Sequence, residues 1–418
     1  MTTTAPTSEM TPAPIEPQPK AMRVARLVSL DALRGFDMFW IIGGEEVVRA
    51  IAEPYAKEHH RWAEIAMKQI DHTPWAGFTF YDLIFPMFVF IVGVSLVFSL
   101  NKAIDTRGKA AAVRRVIIRG IVLYLLGLIF YGGLSWSFGG IYAQHKNPTF
   151  DPSNYHTAFS RVIADIRFMG VLQRIAICYT VSGLLFCFFK PRTLLYIAAS
   201  LLVIYWGLMT FVRAPGQDHR SFDEHKNIAN WIDAHYLPGY KWDGRHDPEG
   251  LLSTIPAVGG CLLGVLAGVL LFRNKYGPWG NVLILIVGGA ILIGAGYAWG
   301  FQFPVIKKLW TSSFVLLTTG ISAVLLGLFY LVVDVIKFRI WAAPFVWIGM
   351  NAITLYLVWN LFEDGFRKIS AALVGGPDSE LAHHIPKDDL AIAQAVVAVL
   401  LILTLARFLY KRQIFLRV

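Results

Sequence analysis

Continuous apolar runs of about 20 residues, separated by polar stretches, recur along most of the chain. They fall near residues 27 to 44, 79 to 100, 115 to 133, 168 to 189, 193 to 212, 251 to 272, 280 to 300, 312 to 333, 343 to 362 and 389 to 409. Runs of this length let an α-helix cross the roughly 30 Å hydrocarbon core of a bilayer. They are unbroken rather than alternating, which excludes a β-barrel, so each backbone must satisfy its own hydrogen bonds as a helix. The pattern predicts an all-α polytopic membrane protein of about ten transmembrane helices around a central cavity. No repeat period is visible. Residues 1–22, rich in Thr and Pro and without the basic start and apolar core of a signal peptide, read as a disordered cytoplasmic tail. Residues 23–418 read as one transmembrane domain with extracytoplasmic loops at about 45–78, 134–167 and 213–250.

Composition agrees with this class: 56% of the 418 residues are hydrophobic and only 16% charged. Lys and Arg recur on alternate sides of the spans. Lys20, Arg23 and Arg26 precede the first; Lys102, Arg107, Lys109, Arg114, Arg115 and Arg119 follow the second; Lys190 and Arg192, Arg273 and Lys275, Lys337 and Arg339, and Lys411, Arg412 and Arg417 continue the series. The positive-inside rule then puts both termini in the cytoplasm and His72 on the far side. Lys307 and Lys308 break the pattern. The net charge of +10 is read as this topological bias plus attraction to anionic membrane lipids, with no nucleic-acid partner. Cys178, Cys187 and Cys261 lie within spans and lack CxxC or Cys/His spacing, so neither a disulfide framework nor a metal site is expected.

His72 stands seven residues before the second span, which is entered through Asp82 and Pro86. A titratable imidazole at a membrane boundary is either a catalytic group or a hydrogen-bonding interface residue. Glu45 and Glu46, after Gly43-Gly44, are solvated loop acids or acids that hold a substrate. Asp247-Pro248-Glu249 has the form of a helix start, an Asp cap followed by Pro, while Glu249 is also placed to hold the amine or hydroxyls of a sugar. Asp31 and Arg34 are spaced to pair on a helix, with Asp37 another turn on. Arg114, Arg115 and Arg119 snorkel to headgroups or bind the phosphates of a cytosolic nucleotide cofactor. Gln173, Arg174 and Asn351 are candidates for polar contacts between helices or with ligand. The second loop adds His145, His156 and Arg161.

Several of these residues stand in segments whose order resembles a known family. The segments are Arg26 to Gly35, His72, Asp82 to Gly93, Gly170 to Ile175, Asp247 to Thr254 and Gly349-Met350-Asn351. Over residues 26 to about 362 the chain resembles the membrane-bound heparan-α-glucosaminide N-acetyltransferases and their bacterial relatives. The resemblance implies a ten- or eleven-helix enzyme, a possible homodimer, that takes acetyl-CoA from the cytoplasmic side and acetylates a terminal glucosamine on the other. For this chain it implies His72 as catalytic residue; by their own position and chemistry, Glu45, Glu46, Asp82, Gln173, Arg174, Asp247 and Glu249 fall toward the aminosugar. Asp31, Arg34, Arg115, Arg119 and Asn351 fall toward CoA, and the expected location is a bacterial inner membrane. The chain departs from the lysosomal members in lacking their long N-terminal luminal region, and Glu45 stands where, counted from Arg34-Gly35, they carry asparagine. Two chemical routes stay open: His72 as general base, or as a transient acetyl carrier. A rival reading also stays open, an N-acetylglucosamine or aminosugar permease in which the same cavity binds sugar and His72 gates it.

Overall fold

The structure, a computed structural model, describes residues 27–131, 166–375 and 386–416. The N-terminal tail and the loop residues His145, His156 and Arg161 lie outside them. Among the described residues the chain is helical, with α1 Val28–Phe39, α2 Glu45–Lys57, α3 Arg61–Ile70, α4 Ile84–Ile129 and α5 Val171–Phe188. It continues through α6 Pro191–Phe211, α7 Ile228–Tyr236, α8 Thr254–Arg273, α9 Gly277–Gly300 and α10 Ser312–Phe329. The last three are α11 Ala343–Met350, α12 Ala352–Val374 and α13 Lys387–Lys411. Two strand-like bridges, Ala76 with Ile306 and Arg167 with Gly239, pin loops together.

Among the described residues, seven helical stretches are long and apolar enough to cross a membrane, or eight if α11 and α12, bent by 81° at Asn351, form one broken span. That is fewer than ten apolar runs for two physical reasons. The run at 27 to 44 becomes a 12-residue helix continued by a wide turn, Trp40–Gly44, where Gly43 takes a φ of +115°. The runs at 79 to 100 and 115 to 133 lie on one 46-residue element, α4. A straight helix of that length would extend about 70 Å, far beyond a bilayer core. It is instead a hairpin. Gly108, at φ +81°, interrupts it, and a methyl group at Gly183 of α5 would meet Val116 at 2.9 Å and Leu96 at 3.4 Å. Those two residues would be about 30 Å apart on a straight rod.

The segments expected as loops carry structure of their own. Residues 45–78 hold α2 and α3, whose mixed charged and apolar sequences have no long apolar run to announce them. Residues 213–250 hold α7, started by Asn227 accepting from the Asn230 amide. Asp247-Pro248 does not start a helix: α8 begins at Thr254. The Asp247 carboxylate is taken by Arg167 and by the amides of Trp242 and Glu249, so its capping capacity is spent on a turn.

Helices approach closely where side chains vanish. Gly35 of α1 and Gly349 of α11 face each other so tightly that a Cβ on either would strike the opposing backbone, of Phe345 and Asp31 respectively. This crossing fixes Asn351, two residues on, beside α1. Gly349→Leu is expected to destabilise the detergent-solubilised protein by roughly 1–3 kcal/mol or more. Gly288→Leu, whose Cβ would meet nothing within 4 Å, is expected to leave it unchanged. Thermal unfolding followed by size-exclusion fluorescence compares the two.

Candidate active site

Asp82 belongs to the 3-10 turn Phe80–Leu83 that leads into α4, and a capping box with Thr79 fixes it there. Its Oδ2 accepts from the Thr73 and Thr79 amides and the Thr79 hydroxyl. That leaves Oδ1, which lies 2.9 Å from Nδ1 of His72. A buried carboxylate with this many donors can only accept, so Nδ1 carries the imidazole proton and Nε2 presents its lone pair. Tyr81 packs beside the ring, with centroids 4.8 Å apart.

Lys307 completes the cluster. Its Nζ lies 3.0 Å from His72 Nε2, 2.8 Å from Nδ1 and 3.4 Å from Asp82 Oδ1. Burial lowers the His72 pKa from its ordinary 6.5, and the Lys307 charge adds to this against the opposing pull of Asp82. The imidazole is therefore neutral at neutral pH. Burial likewise lowers the Lys307 pKa, opposed by Asp82 and Glu249.

His72 opens onto a chamber of about 360 Å³ whose wall also includes Glu45, Glu46, Tyr81, Glu249, Lys307, Glu363 and Arg367. Glu46 and Glu363 each lie 2.7 Å from Arg367. Glu45 pairs loosely with Arg49 at 3.9 Å, and burial raises its pKa. Glu249 shares Arg167 with Asp247, which is fully buried behind it. The Arg167 guanidinium is itself stacked between Tyr131 and Trp242, 5.4 and 5.3 Å from their ring centres.

Two more cavities adjoin this chamber through shared wall residues. A second, of about 280 Å³, shares Phe88, Leu123, Ile175 and Ile353 with the first and is lined by Arg34, Ser99, Tyr179, Asn351 and Thr354. Polar side-chain atoms of Ser99, Tyr179, Asn351 and Thr354 are buried without a hydrogen-bond partner among the described residues. A third, of about 1090 Å³, shares Ser99, Arg119, Met350 and Leu416 with the second. It is ringed by Lys102, Arg107, Arg114, Arg115 and Arg119, with no acid on its wall. The three lie in a row, with His72 at one end and the five cations at the other.

The residues singled out from sequence therefore distribute unevenly. His72, Glu45, Glu46 and Glu249 line the chamber, with Asp82 directly behind His72. Arg34, Asn351, Arg115 and Arg119 line the other two cavities. Asp31 pairs with Arg34 at 3.5 Å, and Arg34 also donates to the Gly349 carbonyl. Gln173, Arg174 and Asp247 line none of the three. Gln173 donates to the Arg167 carbonyl, while Arg174 binds the Gly250 carbonyl and the Ser253 hydroxyl and stacks over Trp310, so these residues hold the chamber floor. Lys307, Arg167, Glu363 and Arg367 were missed. Only Lys307 left a trace in the sequence, as the cation that broke the charge pattern.

No family model matches the chain. It is 27% identical over 406 residues to the heparan-alpha-glucosaminide N-acetyltransferase of Mus musculus, covering 82% of this chain and 56% of that one. It is 28% identical over 357 residues to the protein of the same name from Homo sapiens, covering 71% and 49%. The chain thus spans about half the length of these curated relatives. The resemblance carried by the motifs is borne out: the chain is similar to two heparan-α-glucosaminide N-acetyltransferases over 71–82% of its length, and its described residues include several helices apolar enough to cross a membrane.

Proposed function

We propose that the protein transfers an acetyl group from acetyl-CoA to the amine of a glucosamine-type sugar across the membrane. The observation that carries this reading is the row of cavities running from a mouth ringed by cations to the His72 chamber. A nucleotide-bearing thioester has matching parts. Its phosphates suit Arg107, Arg114, Arg115 and Arg119. Its slim arm, carrying two amide groups, suits the middle cavity, where Asn351 offers an unpartnered donor and acceptor and Ser99 and Thr354 offer hydroxyls. The thioester carbon then reaches His72, where the acids Glu45, Glu46, Glu249 and Glu363 face an incoming ammonium sugar.

At this end the chemistry follows from the Asp82–His72 pair. Once the sugar ammonium has given a first proton to a chamber carboxylate or to solvent, Nε2, whose ring Asp82 holds protonated at Nδ1, takes the second proton of the amine as the C–N bond forms. The tetrahedral oxyanion lies within reach of the Lys307 ammonium. Its collapse breaks the C–S bond, and the His72 proton leaves with the CoA thiolate. In the carrier variant Nε2 itself attacks the thioester, CoA departs first, and the sugar amine then takes the acetyl group from the imidazole. Either route requires Lys307 to yield its contact with Nε2 as the substrate arrives.

Detergent-purified protein is expected to release CoA from acetyl-CoA in the presence of glucosamine. His72→Ala is expected to lower that rate by about 10²–10⁴-fold while CoA binding, read by calorimetry, persists; near wild-type transfer by the variant overturns the assignment. The double variant Arg114→Gln, Arg115→Gln is expected to raise KM for acetyl-CoA and leave KM for the sugar unchanged, as steady-state kinetics report. The kcat/KM profile should lose activity only below pH 6.5, because the His72 pKa is depressed and its neutral form is the active one. Removing the neighbouring charge in Lys307→Met raises that pKa, so the acid limb should move to higher pH.

A further inference from the structure

A second cluster of chemistry lies in the 213–250 segment, outside the three cavities. His246 is completely buried, yet neither ring nitrogen has a hydrogen-bond partner among the described residues. Its Nε2 points at two carboxylates, 3.6 Å from Glu224 Oε1 and 3.5 Å from Asp243 Oδ2. Those separations are too long for hydrogen bonds. They match the edge of a coordination tetrahedron, since ligands about 2.1 Å from a Zn²⁺ ion stand about 3.4 Å from one another. His225 adds a second imidazole, its ring centre 5.1 Å from that of His246. One ligand atom each from Glu224, His225 and His246 already lies within 4.8 Å of the others.

We infer that Glu224, His225 and His246 form a binding site for a divalent transition-metal ion of the Zn²⁺ class, with Asp243 or water as fourth ligand. Two imidazoles and a carboxylate are the donor set such borderline ions favour over Mg²⁺ or Ca²⁺. The competing cation is Lys308, whose Nζ lies 3.1 Å from Asp243 and 3.3 Å from Glu224. An ammonium neutralises the two acids but leaves the His246 nitrogens unpartnered. A metal ion would satisfy His246 Nε2 and the two carboxylates together, with Nδ1 keeping its proton. The absence of short Cys/His spacing is what hid this set from the sequence, because Glu224 and His225 are adjacent but His246 is about 20 residues on.

The site would act on the chamber through its neighbours. Trp75, three residues after His72, sets its ring 6.2 Å from His246 and donates to the Phe222 carbonyl. Lys308 follows Lys307. An ion here would clamp the 213–250 segment onto the loop that carries His72, whatever reaction the chamber performs.

The test is metal binding to tag-free, full-length protein in detergent after treatment with chelator. Titration with Co²⁺, whose visible absorption reports tetrahedral nitrogen and oxygen ligation, is expected to saturate at one ion per chain and to be reversed by Zn²⁺. Zn²⁺ is also expected to raise the thermal midpoint. His225→Asn, an exposed position at φ +64° that asparagine tolerates, should weaken binding roughly tenfold or more, and His246→Ala should abolish it. Exposed His219→Ala should bind like wild type. Absence of a tetrahedral Co²⁺ spectrum in the wild type, or wild-type Co²⁺ affinity in His225→Asn, overturns the proposal. Acetyl transfer by metal-free protein bears on the chamber alone and keeps the two readings separable.

Discussion

Everything at the His72 end of the molecule hangs on one buried carboxylate. Asp82 ties the start of α4 to the loop 71–79 through its capping box, orders His72 with its remaining oxygen, and draws in Lys307 from a loop 225 residues further along the chain. A carboxylate with no exposure would be costly on its own. Four donors and a nearby ammonium offset that cost, and the same contacts fix the imidazole tautomer. Local capping chemistry and the orientation of the imidazole are thus one arrangement.

A similar economy governs the floor. Arg167 is buried and stacked between two aromatic rings, and it neutralises Asp247 and Glu249 together. Asp247 is consumed by this pairing and by backbone amides. Glu249 keeps an edge on the chamber, so of two neighbouring acids one is structural and the other faces the cavity.

The spans were legible because a bilayer demands continuous apolar runs, and such runs survive without any knowledge of packing. The hairpin of α4 was legible as two spans for the same reason. The amphipathic α2 and α3 were not, since charged residues such as Glu45, Arg49 and Glu64 interrupt their apolar positions and no run reaches spanning length. Asp247-Pro248 reads as a helix start because capping chemistry is local, whereas its real partner, Arg167, is 80 positions away. Lys307 was hidden for the opposite reason. In a membrane sequence a lysine is first evidence about sidedness, and only the folded chain, closing 235 positions, shows it as a neighbour of His72. Residues on the cavity row were easier, because arginines and an asparagine in or beside apolar helices have few other places to go.

The turn at Gly108 has a consequence for how anything crosses this molecule. Phe88, Val92, Ser95 and Ser99 on one arm of α4 and Arg115, Arg119 and Leu123 on the other face the same row of cavities. The row runs along one side of that hairpin, both of whose arms pack against α5, and α1, α11 and α12 form its other wall. Any widening of the row parts that hairpin from α1, α11 and α12 rather than opening the hairpin itself, so the wall that carries Ser99 and Arg119 moves as one piece with α5.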